Sequence, residues 1–301
     1  AGRQMRILGL SVWLRVKELA GRPVEWPEDY YRGSYIIDIA REMLAEDPGL
    51  PDMEDQAGQG RCYERAMNEI LDGIKADLAD FRVEHQHWFS EKTLVESGAV
   101  KAAFDALTEA GHTYSKDGAF WFATQALGDD KDRVLIKSDG EYTYFASDVA
   151  YHWNKFQRVD HVIDIWGCDH HGYINRVRSA CDALGYPGRF EVLLGQLVNL
   201  LRNGKPVKMS KRRGTMITFR ELVDEVGADA ARYTLISRSS NQEIDFDIEK
   251  VKAKTQDNPV YYVQYAHARI CSILRRAADV TPEEAAALGM DAVAARAIGE
   301  N

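Results

Sequence analysis

The sequence predicts an α/β protein: an incomplete doubly wound, Rossmann-like parallel sheet followed by an α-helical region. Three observations carry that expectation. Residues 159–166 form a nearly continuous apolar run, as expected of a strand buried on both faces, and Gly167 closes it. A helical pattern over 173–184 and a second strand pattern over 191–201 follow, giving the strand–helix–strand rhythm of a parallel sheet. Beyond about residue 216 the character changes and successive helical segments follow. In doubly wound sheets ligands sit at the carboxyl ends of strands, and two segments fall at such ends, 167–172 and 205–214.

Each element follows from its local pattern. Met5, Leu8, Val12, Val16 and Leu19 recur at helical spacing over 4–20, and the Pro- and Gly-rich stretch 21–31 reads as a loop. Helical spacing returns over 35–44, 47–60 reads as a turn-rich break, and 61–79 as a helix. Residues 82–89 look like a strand, 98–110 a helix, and 119–122 (AFWF) a short strand. Segments 134–137 and 142–145 are expected to pair as a hairpin around the Asp139-Gly140 turn, with Ser147 capping a helix through Phe156. The strand over 191–201 closes on a tight turn at Asn203-Gly204. Thr218 and Glu221 have the form of a capping box, Gly227 stops that helix, and 229–236 is the next. Asn258-Pro259 opens a long helix with an apolar face of Val263, Ala266, Ile270, Ile273 and Ala277. A last helix is expected over 283–297.

With 301 residues, 45% of them hydrophobic, the chain can bury one large core or two smaller ones. No stretch approaches the roughly 20 apolar residues of a membrane span, and no signal-peptide pattern opens the chain, so a cytoplasmic location is expected. The opening Ala1-Gly2-Arg3-Gln4 reads as the interior of a longer protein. A formal charge of −9 does not mark a nucleic-acid binder, so any such contact must come from local basic clusters. Cys62, Cys168, Cys181 and Cys271 form no C-x-x-C pair and read as free thiols.

Three segments carry chemistry. Lys205, Lys208, Lys211, Arg212 and Arg213 place five cations within nine residues, followed by Gly214. Such a loop can aim charge at the phosphates of a nucleoside triphosphate, or be a plain basic surface loop. Trp166-Gly167-Cys168-Asp169-His170-His171-Gly172 offers several metal-ligand types, but consecutive residues cannot all converge on one ion, and no bound metal is expected. The alternatives there are a solvated strand end and a strand-end glycine that admits a ribose beside hydrogen-bonding Asp169 and His170. In the run 142–152, Tyr144 and Asp148 can offer a guanidinium an aromatic face and a carboxylate. Against that stands an aromatic strand running into a capped helix.

The resemblance is specific once these segments are read together. Lys208-Met209-Ser210-Lys211 matches the KMSK signature of class I aminoacyl-tRNA synthetases. DDKDRVLIKSDGEYTYFASDVAYH (129–152), WGCDHHGYINRVRSA (166–180), LLGQLVNLLRNGKPVKMSKRRGT (193–215) and NPVYYVQYAHARI (258–270) together resemble bacterial arginyl-tRNA synthetases. The resemblance spans essentially the whole chain. It implies ATP with Mg2+, arginine and tRNA(Arg) as the molecules handled, no membrane, and a monomer at full length. Lys208 and Lys211, with Ser210, would serve the triphosphate in the transition state. Tyr144, Asp148 and Asp169 would bind arginine, with Asp169 standing where other branches use glutamine. Gly167, His170, Leu197, Val198 and Met209 would contact ATP.

The implied organisation is a catalytic domain over 1–215 with an insertion at about 45–130, a helical stem over 216–257, and the start of an anticodon-binding domain over 258–301. The family's HIGH motif does not occur: His85, His87 and His112 lack its setting. A chain truncated before HIGH and inactive alone is therefore expected. The alternatives are a non-catalytic fragment or paralogue that binds tRNA or a protein partner, and a different class I synthetase.

Overall fold

The amino-terminal apolar spacing folds as α1 (Arg3–Leu19), which packs with α2 (Ser34–Glu46) and α3 (Asp55–Asp80) around Val12, Trp13, Val16, Ile36 and Ile39. The computed structural model describes residues 3–207, 217–253, 255, 258–277, 281, 284 and 287. At Gly58 of α3 a Cβ would fall inside the Trp13 indole, so α1 and α3 approach this closely only because position 58 has no side chain. α3 starts within the expected break over 47–60 because the Glu54 carboxylate accepts from the Ala57 N–H at 3.0 Å and caps it.

The strand expected over 82–89 is not formed; the segment is irregular. Arg82, at φ 60°, turns the chain out of α3, and Phe89 stacks on Tyr151 with ring centroids 4.6 Å apart. Phe89 thus serves packing rather than a ladder, while Trp88 is exposed.

After α4 (Lys92–Glu96) and α5 (Ala99–Glu109) comes an antiparallel sheet of β1 (Thr113–Lys116), β2 (Ala119–Phe122) and β3 (Arg133–Ile136). Asp117 and Gly118, at φ 53° and 75°, make its first turn. The hairpin expected from 134–137 and 142–145 exists only as a turn. Gly140 has φ 85° and Ile136 bridges Tyr142, but the return arm passes at Tyr144 into α6 (Tyr144–Phe156). The cap of α6 is Thr143, not Ser147.

β4 (Val162–Gly167) and β5 (Phe190–Gly195) pair in parallel from Val162↔Phe190 to Gly167↔Gly195. A 3-10 turn (Cys168–Tyr173) and α7 (Ile174–Ala183) connect them. This is the β-α-β unit that the α/β expectation required. The single strand expected over 191–201 is two, β5 and β6 (Val198–Arg202). Between them Gln196 N–H donates to Ser240 O at 3.0 Å, and Leu197 O accepts from Ile244 N–H at 3.2 Å, so the chain leaves the β4–β5 ladder after Gly195.

Two compact units divide the described residues: one holds the chain to Val198 with 239–244, the other 199–207, 217–238 and 245 onward. In the second, β6 lies between β7 (Lys205–Pro206) and β8 (Ile244–Asp247). Asn203 and Gly204, both at positive φ, make the tight turn between β6 and β7. The buried Asp247 carboxylate accepts from their N–H groups at 3.1 and 2.7 Å. α8 (Phe219–Val226) carries the expected capping box, and α9 (Ala228–Ile236) and α10 (Ile248–Lys252) follow. α11 (Pro259–Ala277) is entered through Asn258, whose Oδ1 accepts from Val260 N–H at 3.2 Å. Val223, Val226, Ala230, Ala231, Phe246, Ile248, Val251 and Val260 are the unit's buried apolar residues among those described. Val263, Ile270 and Ile273 of α11 are exposed. Of the helix expected over 283–297 only Glu284 and Ala287 are described, both helical. Among the described residues no helix is long and apolar enough to cross a membrane.

Candidate active site

α6 exists as a helix from Tyr144 because the Thr143 hydroxyl does two things: it donates to Val134 O of β3 at 2.9 Å and accepts from Ala146 N–H at 3.2 Å. Phe145, Val149, His152 and Phe156 form the buried stripe. Tyr144 and Asp148, four residues apart, share another face. Tyr144 is 85% exposed, whereas Asp148 is half-buried and its Oδ2 accepts from the Tyr173 hydroxyl at 2.5 Å. Oδ1 has no hydrogen-bond partner among the described residues. Burial pushes the Asp148 carboxyl above the ordinary carboxylate range, against the opposing pull of the Tyr173 hydrogen bond and of His152 and Lys155.

Tyr173 is the last residue of the turn that carries Asp169 and His170, so the α6 face and the carboxyl end of β4 meet at this phenol. Asp169 and His170 are both exposed and lie 3.7 Å apart. A Cβ at Gly167 would meet Asp169 Oδ1 at 2.6 Å, so any side chain there would push that carboxylate aside. Leu197 and Val198 lie just past β5 with exposed side chains. Lys208, Met209, Ser210 and Lys211 lie outside the described residues.

Beneath this face are residues that the sequence did not single out. Buried His152 places Nδ1 2.7 Å from Asp148 O and Nε2 2.8 Å from Asp164 Oδ2, and Lys155 Nζ donates to Asp164 Oδ1 at 2.5 Å. Burial raises the Asp164 carboxyl, but the His152 and Lys155 hydrogen bonds outweigh it and hold the group below the ordinary range. The available signal was Asp164 itself, a carboxylate in the middle of an apolar strand. On the other side the Arg176 guanidinium lies 4.7 Å from the Tyr173 ring centroid, with Nε 3.7 Å from Asp129. Arg133 grips Asp129 with two bonds, at 2.7 and 3.0 Å.

Among the described residues no group of three or more His, Cys, Asp or Glu could hold a metal ion. Two surface cavities, of about 210 Å³ beside Glu46 and Arg61 and about 360 Å³ beside Gly227 and Tyr261, include none of the candidate residues.

Residues 58–272 match the family described as tRNA synthetases class I (R), catalytic domain. An arginine–tRNA ligase of Desulfovibrio desulfuricans is 65% identical over 94% of this chain and 52% of its own length. One from Nitratidesulfovibrio vulgaris is 64% identical over 93% and 51%. A solved structure from Campylobacter jejuni, described as an arginyl-tRNA synthetase, superposes with a TM-score of 0.83 at 38% identity, covering 92% of this chain and 61% of that one. The chain spans about half the length of the curated relatives it matches. With the family matched over well over half of its residues, the chain belongs to the class I arginyl-tRNA synthetases, within their catalytic domain.

Proposed function

We propose that the protein contributes the arginine-recognition face, and part of the ATP face, of an arginine–tRNA ligase. The observation that carries this reading is the half-buried Asp148 carboxylate, held by Tyr173 and set one helical turn from the exposed phenol of Tyr144. A guanidinium is planar and forked, so it pairs with a carboxylate and lies against an aromatic ring. Asp169 and His170 serve the junction of arginine and ATP. Gly167 admits the nucleoside, and backbone groups at Leu197 and Val198 face the adenine. Lys208 and Lys211, with Met209 and Ser210, serve the triphosphate.

In the reaction so read, an arginine carboxylate oxygen bonds to the α-phosphorus of ATP, the α–β bridging bond breaks, and pyrophosphate leaves. The terminal ribose hydroxyl of tRNA(Arg) then attacks the activated carbonyl and AMP departs. The protein's part is positioning and electrostatic stabilisation. Magnesium accompanies the triphosphate, and no side chain is assigned to it. The domain reading is a catalytic part over 1–215 with its insertion at about 45–130, a stem over 216–257, and a tRNA-binding helical region opening at 258.

Because these 301 residues carry no HIGH signature, the test is one of binding. By calorimetry, Asp148→Ala should weaken arginine binding about 100-fold, the loss of a charge-assisted hydrogen bond to the guanidinium, with ATP binding changed by less than about twofold. Equal losses for both ligands would overturn the assignment.

A further inference from the structure

Asp148 alone does not define a guanidinium site, because a half-buried carboxylate can rotate and can take up a proton. Two features of its surroundings act against both. The Tyr173 hydroxyl donates to Oδ2 at 2.5 Å, a length typical of a strong hydrogen bond to a charged acceptor. The Tyr173 ring is itself fixed: it meets Phe145 edge-on at 6.2 Å, packs against Trp166 at 6.0 Å, and lies under Arg176. Arg176 in turn borders the Asp129–Arg133 pair. The phenol is thus held from several sides, with only its hydroxyl directed at the carboxylate.

We propose that Tyr173 is a positioning residue for arginine recognition: it locks Asp148 through Oδ2, leaves Oδ1 for the guanidinium, and ties the Cys168–Tyr173 turn to α6. This rests on the reading of Asp148 as the guanidinium contact. The lock also favours the ionised carboxylate, because a phenol donating to a carboxylate stabilises its charge. The groups around Asp148 are Tyr173 at the head of α7, His152 and Lys155 on α6, and Glu91 ahead of α4. His152 and Lys155 favour its charge, whereas Glu91 opposes it. Without the Tyr173 hydroxyl, burial and Glu91 meet less resistance and the Asp148 titration moves to higher pH. Arginine binding needs the carboxylate, so its acid limb must move the same way.

The test uses the full chain with Tyr173→Phe, which keeps the ring and its packing, and with Asp148→Asn. The Asp148 carboxyl resonance, identified by its loss in Asp148→Asn, is titrated by carbon-13 NMR, and arginine binding is measured by calorimetry across pH. In Tyr173→Phe the titration and the acid limb of arginine binding should both move to higher pH, and affinity near neutral pH should fall about tenfold. An unmoved Asp148 titration overturns the proposal whatever arginine does. Arginine binding that survives Asp148→Asn instead overturns the underlying assignment, while the titration still reports on Tyr173. A second reading needs no substitution at 173. In the native chain the Tyr173 hydroxyl proton should exchange slowly with water and lose that protection as Asp148 takes up its proton. Fast exchange at all pH values also overturns the proposal.

Discussion

Arg133 and Asp129 show how much a single ion pair can matter when water is kept out. Their side chains are 14% and 6% exposed, and the guanidinium fork meets both carboxylate oxygens. The Arg133 hydrogen bonds, against the opposing effect of burial, hold the Asp129 carboxyl far below the ordinary range. Arg133→Gln leaves that carboxylate with the Asp130 N–H at 2.9 Å and Arg176 Nε at 3.7 Å. Breaking a buried pair in this way should cost about 3 kcal/mol near neutral pH. A depressed folded-state value stabilises above the unfolded Asp value of about 4 and loses that contribution as pH falls toward the folded one. Urea denaturation at pH 7 and pH 3 should therefore show a gap between the two proteins that narrows in acid, and a gap independent of pH would refute this account. The partners lie only four residues apart, but the burial of the pair was not legible in the chain, because it depends on tertiary neighbours such as Arg176, more than 40 residues on. Tyr144 and Asp148 were legible within one short run, 142–152, though Tyr144 reads there as strand rather than as the first residue of α6. Tyr173 was not, because its meaning lies in contact with a residue 25 positions away.

At the scale of elements, the informative error is the start of α6. Tyr142-Thr143-Tyr144-Phe145 is β-prone by composition, and the Asp139-Gly140 turn before it is real, so a hairpin was the natural reading. One hydroxyl decides otherwise. Thr143 offers its oxygen to the Ala146 N–H, and its own proton goes to Val134 O, which fixes helix and strand together. Thr143→Ala should cost about 1–2 kcal/mol, the sum of a lost cap and a lost hydrogen bond. Thr143→Ser, which keeps both bonds, should remain close to the native protein. Equal denaturant midpoints for the two variants would refute the capping argument. The parallel β4–β5 pair was legible from its apolar run, but the burial on both faces expected of it is not found. Val162 packs with Phe156, Val177 and Cys181, whereas Ile163 and Ile165 on the other face are exposed. Residues 82–89 failed as a strand: local composition resembles one, yet Arg82 at positive φ and the docking of Phe89 on Tyr151 belong to tertiary structure.

At the scale of the molecule, the division into two units has a thermodynamic consequence. The first unit has its own cores, one of them centred on Leu107, Phe122, Leu135 and Phe145. The second buries Phe246 and Ile248 completely and anchors its β6–β7 turn through Asp247, whose carboxylate accepts three backbone N–H groups. Cores that do not share residues can melt separately, and two-state behaviour is not expected of such a chain. Leu135→Ala opens a cavity in the first unit and should cost about 2–5 kcal/mol there. Asp247→Ala strips the acceptor from Asn203, Gly204 and Glu249, and should destabilise the second unit by about 3 kcal/mol. Scanning calorimetry should resolve two transitions, with Leu135→Ala lowering one and Asp247→Ala the other. If both substitutions displace a single shared transition by comparable amounts, the chain unfolds as one cooperative body, and the two-unit description does not extend to its stability.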